Sequence, residues 1–203
     1  GYFNIKGWHI ANQFEIDTKK TLVIICFGMG IWIGGILNYR TFKELAKKYS
    51  ITVAPIGLHK DLIFKTIKKL GGYYDQLILV GYPPFIKDLA DEASRYDVKW
   101  SDYRMRIINA TESFTEEFRD YVAKKVGMKN PVNDYINIYG SVELGAMAHE
   151  TALTNLIRRI AVKNKQAFKI IFNEANRLPT LAQYRPDITY FEAIDGELVA
   201  TGH

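Results

Sequence analysis

The chain has 203 residues, 48% of them apolar and 24% charged, the balance of a soluble globular protein. At this length folding can bury about 70% of the extended chain's surface, so a core needs neither disulfide nor metal staples. The net charge of +5 lies in the first half, where residues 1–100 carry 14 basic and 9 acidic side chains against 13 of each in residues 101–203. Its lysines come in pairs such as Lys47-Lys48 and Lys68-Lys69, on the polar sides of expected helices. Clustered arginines with aromatic platforms are missing, so nucleic acid is not an expected partner. The longest apolar stretch, residues 21–37, is broken by Gly28, Gly30, Gly34 and Gly35, which argues against a membrane span. No signal-peptide pattern opens the chain, and the single cysteine, Cys26, lies in an apolar run; a reduced, cytoplasmic setting is expected.

Strand and helix signals alternate. Residues 21–27 form a β-branched apolar run that stops at glycines. Trp32, Ile36, Tyr39, Phe42, Ala46 and Tyr49 then recur at helical spacing. Residues 51–56 read as a second strand, and Leu62, Ile63, Ile67 and Leu70 as a helix ended by Gly71-Gly72. Residues 76–81 are a third strand, and Pro83-Pro84 suits the entry of a helix with Phe85, Leu89, Ala93 and Tyr96 on one stripe. Residues 104–110 make a fourth strand. Ser113 with Glu116 fits a capping box before a helix whose stripe is Phe118, Tyr121, Val122 and Val126.

Four such units in a row predict an α/β fold, a largely parallel sheet flanked by helices. Beyond them come a short strand at 135–139, a helix at 151–163, and strands at 169–172, 189–194 and 197–201. Asp195-Gly196 is a two-residue hairpin signal, so a small antiparallel β element is expected at the C-terminal end.

Gly28-Met29-Gly30 with Gly34-Gly35 falls where a dinucleotide-binding turn would lie, but the spacing departs from the strict fingerprint. The second strand also ends without an acidic residue for a ribose. Tight helix–strand packing is the simpler reading, and the same glycines can border a small-molecule pocket. A dinucleotide-dependent oxidoreductase ranks third among the functional readings. There is no Walker loop, no nucleophile elbow and no metal-ligand spacing among His9, His59, His149 and His203. The segment Asn137-Ile138-Tyr139-Gly140-Ser141-Val142-Glu143-Leu144-Gly145 places an aromatic, a glycine and a carboxylate just beyond a strand end. That set can stack a base, free backbone amides and hold a divalent cation through one carboxylate. On spacing alone, a glycine turn with a solvated glutamate accounts for it better.

Taken in order with Ile108-Asn109-Ala110-Thr111-Glu112 upstream and Gly196-Glu197-Leu198-Val199-Ala200-Thr201-Gly202 downstream, this segment resembles the adenylate-forming superfamily of acyl-CoA synthetases. The likeness is greatest to its phenylacetate–CoA ligase-like branch, whose glycine-rich acyl-pocket turn is similar to Phe27-Gly28-Met29-Gly30. The resemblance implies that Tyr139, with Gly140 and Ser141, lies at the adenine, that Asn109, Ala110, Thr111 and Glu112 border the adenosine, and that Glu143 holds magnesium. Gly28, Met29, Gly30, Tyr82 and Pro83 would line the acyl pocket. It implies activation of a small carboxylic acid by ATP to an acyl-adenylate, then transfer to CoA or a carrier thiol. Phe27 is followed by Gly28 where members acting on amino acids place an aspartate, so an aryl or alkyl acid without an α-amino group is expected. Val142 stands at the family's threonine, Ser113 at a frequent proline and Asn109 at a glycine. The family's phosphate loop, ribose-binding aspartate and C-terminal lid with its lysine have no counterpart here. Residues 1–16 are then an extension or linking segment and residues 17–203 a partial AMP-binding domain, expected to be inactive alone. The alternative is a non-catalytic nucleotide- or acyl-binding module that kept the fold.

Overall fold

The computed structural model describes residues 10–30, 32–173, 175–186 and 188–202. The chain runs through β1 (Thr21–Cys26), α1 (Ile33–Leu45), β2 (Ile51–Pro55), α2 (Lys60–Leu70), β3 (Gln76–Gly81), α3 (Pro83–Glu92), β4 (Met105–Ala110) and α4 (Glu116–Lys125). It continues through a short helix α5 (Pro131–Asp134), β5 (Tyr135–Ser141), β6 (Gly145–His149), α6 (Ala152–Lys163), α7 (Lys165–Phe172), β7 (Gln183–Tyr184), β8 (Thr189–Ile194) and β9 (Glu197–Gly202). One seven-stranded sheet has the order β2-β1-β3-β4-β5-β6-β7, parallel from β2 through β5 and antiparallel beyond, and β8–β9 form a separate antiparallel pair.

Every residue of β1 and β3 is buried, which is why each reads as a continuous apolar run rather than an alternating one. On one face Leu22, Ile24, Leu77, Leu79 and Ile107 pack under α2, α3 and α4 through Ile63, Phe64, Ile86, Leu89 and Val122. On the other face Val23, Ile25, Ile78, Val80, Ile108 and Ile136 meet Phe42 and Leu45 of α1 together with Ile10, Phe14 and Ile16. Residues 10–16, placed by sequence in the N-terminal extension, therefore belong to the described core; residues 1–9 lie outside the described residues.

Several local expectations need correction. Ser113 is not a cap: Thr115 is, its hydroxyl accepting from Phe118 N at 3.2 Å, while Glu116 turns inward to arginines. The buried face of α4 is Glu116, Arg119, Val122 and Ala123, and Tyr121 is exposed with its hydroxyl donating to Asp91 at 2.6 Å. Residues 165–172 are helical, not a strand, because Asn164 Oδ1 accepts from Gln166 N and Ala167 N at 3.0 Å and starts a turn one step ahead of the apolar run. Trp32 and Ile36 are exposed; α1 presents Gly35 inward because an added Cβ there would lie 2.7 Å from Gly28 O. Gly71 ends α2 in the ordinary right-handed region (φ −54°) rather than as a left-handed cap, and its missing Cβ admits the Tyr103 ring. At the C-terminal hairpin, Asp195 and Gly196 both take positive φ, 52° and 83°, as a two-residue primed turn requires.

Candidate active site

Strand register brings the segments that follow β1, β3 and β4 to one edge, beside β5. Cys26 pairs with Gly81, Gly81 with Asn109, and Asn109 with Asn137, so β1, β3 and β4 end along one row that β5 crosses before running on to Ser141. With strands about 4.8 Å apart, the row spans roughly 14 Å. The strand order changes direction between β1 and β3, and ligands of open α/β sheets bind at that switch, outside the carboxyl ends of the strands. Gly28, Met29 and Gly30 leave β1 there, and Tyr82 and Pro83 leave β3 beside them. Met29 is exposed, Tyr82 is partly buried and stacks on Phe85 at 6.0 Å, and Pro83 is buried as the first residue of α3.

Next along the row, Asn109 is fully buried and its side chain is already engaged. Nδ2 donates to Gly81 O at 2.6 Å, and Oδ1 accepts from Tyr135 OH at 2.5 Å. It thus ties the ends of β3 and β4 to the start of β5. Ala110 is half-buried, while Thr111 and Glu112 are exposed. Thr111 has φ +81°, an outlier for a β-branched residue that costs about 1–3 kcal/mol and clusters at functional sites.

Gly140 and Ser141 are not loop residues as the predicted strand at 135–139 implied; the strand runs through them from Tyr139. Tyr139, Gly140 and Ser141 are the last residues of β5, paired with β6 across a register shift at Tyr139/Gly140. Gly140 is required by close approach: an added Cβ would lie 2.2 Å from Gly145 O and 2.9 Å from Gly145 C. Val142, Glu143 and Leu144 form the turn. Tyr139 is 46% exposed and Val142 70% exposed, so the hairpin offers a bare ring and a methyl pair to any ligand on this edge. The Glu143 carboxyl is held below the usual carboxylate range, first by its own backbone N–H and then by the Ser141 hydroxyl, so it is ionised at neutral pH. No group of three or more His, Cys, Asp or Glu side chains suited to a metal occurs among the described residues. A single fixed carboxylate fits a magnesium ion shared with ligand phosphates rather than one caged by protein. Burial pushes the Cys26 thiol up, which suits a core residue and not a nucleophile.

Sequence reasoning missed what stands behind this hairpin. Asn137 donates from Nδ2 to Glu112 O at 3.0 Å, which leaves Oδ1 as a buried acceptor without a donor. Glu150, fully buried just after β6, accepts from Asn137 N at 2.8 Å, Arg119 Nη2 at 2.9 Å and Arg158 Nη1 at 2.6 Å. Arg119 also pairs with Glu116 at 3.0 Å, and Arg158 Nη2 donates to Phe114 O at 2.7 Å. A signal was present: Glu116 and Arg119 continue the Val122–Val126 stripe backward at helical spacing, which places charge on a core-facing stripe.

The arrangement is a candidate ligand site at the carboxyl edge of a mostly parallel sheet, flanked by an antiparallel hairpin. Among solved structures, the chain is similar to 2-hydroxyisobutyryl-CoA ligase in complex with 2-HIB-AMP and CoA in the thioesterification state (TM-score 0.66, 12% identity, 99% of this chain and 39% of that chain). The same ligase in the postadenylation state with 2-HIB-AMP gives a TM-score of 0.65 over 99% of this chain and 39% of that chain, again at 12% identity. Its open conformation with 2-HIB-AMP and CoA gives 0.57 over 76% and 33%, also at 12% identity. The chain thus spans about two fifths of the length of that ligase, and at this identity the likeness shows the fold. No family model matches the sequence, and no curated protein matches it.

Proposed function

We propose that this chain is the acid- and adenine-binding part of an adenylate-forming ligase of the phenylacetate–CoA ligase-like branch. The observation that supports the reading is the row Cys26–Gly81–Asn109–Asn137, which sets the Gly28–Gly30, Tyr82-Pro83 and Asn109–Glu112 segments side by side with β5 and its hairpin. Tyr139 offers its exposed ring to the adenine. Close backbone approach at Gly140, the strained Thr111 turn and the buried Asn137 Oδ1 support a polar, planar ligand between the hairpin and the β4 turn. An exocyclic amine is the donor that an orphan amide oxygen lacks, given a small rotation of the amide.

The acid sits at the Gly28–Gly30 turn and Tyr82-Pro83. The turn Phe27-Gly28-Met29-Gly30 carries no charge, and an unpaired ammonium there would be costly, so the acid lacks an α-amino group. A carboxylate oxygen attacks the α-phosphorus of ATP, the bond to the bridging oxygen breaks, and pyrophosphate leaves. The chain's residues act by positioning and by charge neutralisation. Glu143 would hold magnesium, which neutralises the departing phosphates when bound. CoA or a carrier thiol then accepts the acyl group in the reducing cytoplasm. Val142 favours a second reading, a binding module without chemistry, because its exposed side chain has no hydroxyl for a phosphate.

Magnesium tests the assignment. In the wild-type chain Mg²⁺ should tighten ATP binding about tenfold, the scale of one charge-assisted contact. Glu143→Gln should lose that gain while its affinity for AMP and its melting temperature stay put. Calorimetric titration in EDTA and in magnesium checks this, and an undiminished magnesium effect in the variant would refute the ligand role of Glu143.

A further inference from the structure

We infer that Glu150 is a positioning residue whose buried carboxylate locks the Tyr139 hairpin to the β4 turn and so sets the width of the cleft between them. The hairpin's tip cannot place itself: Tyr139, Gly140, Val142 and Glu143 are all exposed, and packing holds only its lower part, at Ile138, Met147 and Ala148. Its base is held instead. Glu150 N donates to Asn137 O at 2.8 Å, and the Glu150 carboxylate receives Asn137 N at 2.8 Å, so a side chain closes the ladder where a backbone carbonyl would be expected.

From that carboxylate two guanidinium groups reach both walls. Arg119 pairs with Glu150 and donates to Tyr135 O on β5. Arg158 pairs with Glu150 and donates to Phe114 O, on the loop that follows the β4 turn. Asn137 Nδ2 bonds the carbonyl of Glu112, and Asn155 Nδ2 donates to Tyr135 O at 3.1 Å from the far side. The two walls lie on separate chain segments, residues 109–114 and 135–149; Glu116 and Glu150 each pair with both cations, and of these two carboxylates Glu150 is the one that also accepts from the β5 backbone, at Asn137 N. Planar guanidinium forks suit this use, because each fixes two acceptors in one geometry. The effect on ligand binding rests on the nucleotide reading above; the effect on the two walls does not.

Two measurements on the 203-residue chain decide the matter. Glu150→Gln keeps shape and removes the charge. Amide hydrogen exchange should rise about tenfold or more in residues 109–115 and 135–149, with residues 21–26 and 76–81 unchanged. The AMP dissociation constant, by calorimetry well below the melting temperature, should rise about ten- to a hundredfold, the usual scale for outer groups that orient a site. Arg158→Lys keeps the charge but loses the Phe114 tie; it should loosen residues 111–115 alone, and it decides the question if Glu150→Gln does not fold. A uniform rise in exchange, or wall residues as protected as in the wild type, would overturn the clamp. Unchanged AMP affinity in variants with loosened walls would overturn its part in binding. Absence of AMP binding in the wild type would sink the nucleotide reading, while the exchange pattern still judges the clamp.

Discussion

Arg119→Ala should lower the stability of the chain by about 3–5 kcal/mol, the cost of leaving a buried charge without its partner. Arg119 is fully buried and serves Glu116, Glu150 and Tyr135 O at once. Its loss leaves two buried carboxylates, one of them also fully buried, to share Arg158. For a chain of this length, that corresponds to a fall in melting temperature of roughly 10 °C. Arg119→Met combined with Glu150→Gln removes one charge of each sign and should recover part of the loss, since apolar or neutral replacement of a whole buried pair is often tolerated. A single variant that melts within about 2 °C of the wild type would mean that the cluster is hydrated and that this account of the hairpin's base is wrong.

Gly140→Ala should cost about 1–3 kcal/mol and weaken AMP binding about a hundredfold, because a displacement near 1 Å at a positioned group has effects of that size. The reason is steric. The three atoms nearest an added Cβ, Gly145 O, Gly145 C and Ala146 Cα, all belong to backbone, so no side chain can rotate out of the way. The register shift at Tyr139/Gly140 would have to open or slide, and Tyr139 would move with it. Gly196→Ala is the control: its φ of +83° makes it strained, yet nothing lies within 4 Å, and it should cost about 1 kcal/mol without touching binding. Thermal melts and calorimetry on both variants check the contrast; equal effects on AMP affinity would remove the steric argument.

What was legible in the sequence follows from how each element is buried. β1 and β3 are enclosed on both faces, so their apolar runs could mean little else. The β8–β9 hairpin was legible because Asp-Gly is demanded by two positive φ values. β6 was not, since Gly145-Ala146-Met147-Ala148-His149 has no β-branched residue and owes its extended form to pairing with β5. The end of α7 misled because Ile170 and Ile171 look like strand residues, whereas Asn164, six positions earlier, starts the helix. At the site, the order of the turns was readable but their support was not. Nothing in the sequence pattern marks Glu150 or Arg158 as buried, and only the fold encloses them. Nor does the sequence give any sign that the Asn109 side chain joins β3 to β5.

The central claim is that the carboxyl edge between β1 and β5 binds an adenine nucleotide. Titration of the ¹⁵N-labelled chain with AMP, followed by amide chemical shifts, tests it most directly. The account expects the largest shifts in residues 109–113 and 137–143, small ones at Gly28–Gly30, and little change on the far helices. Shifts centred instead on Lys65, Lys68, Lys69 and Arg95, which line an open groove between α2 and the turn after α3, would contradict it, as would no shift at millimolar AMP.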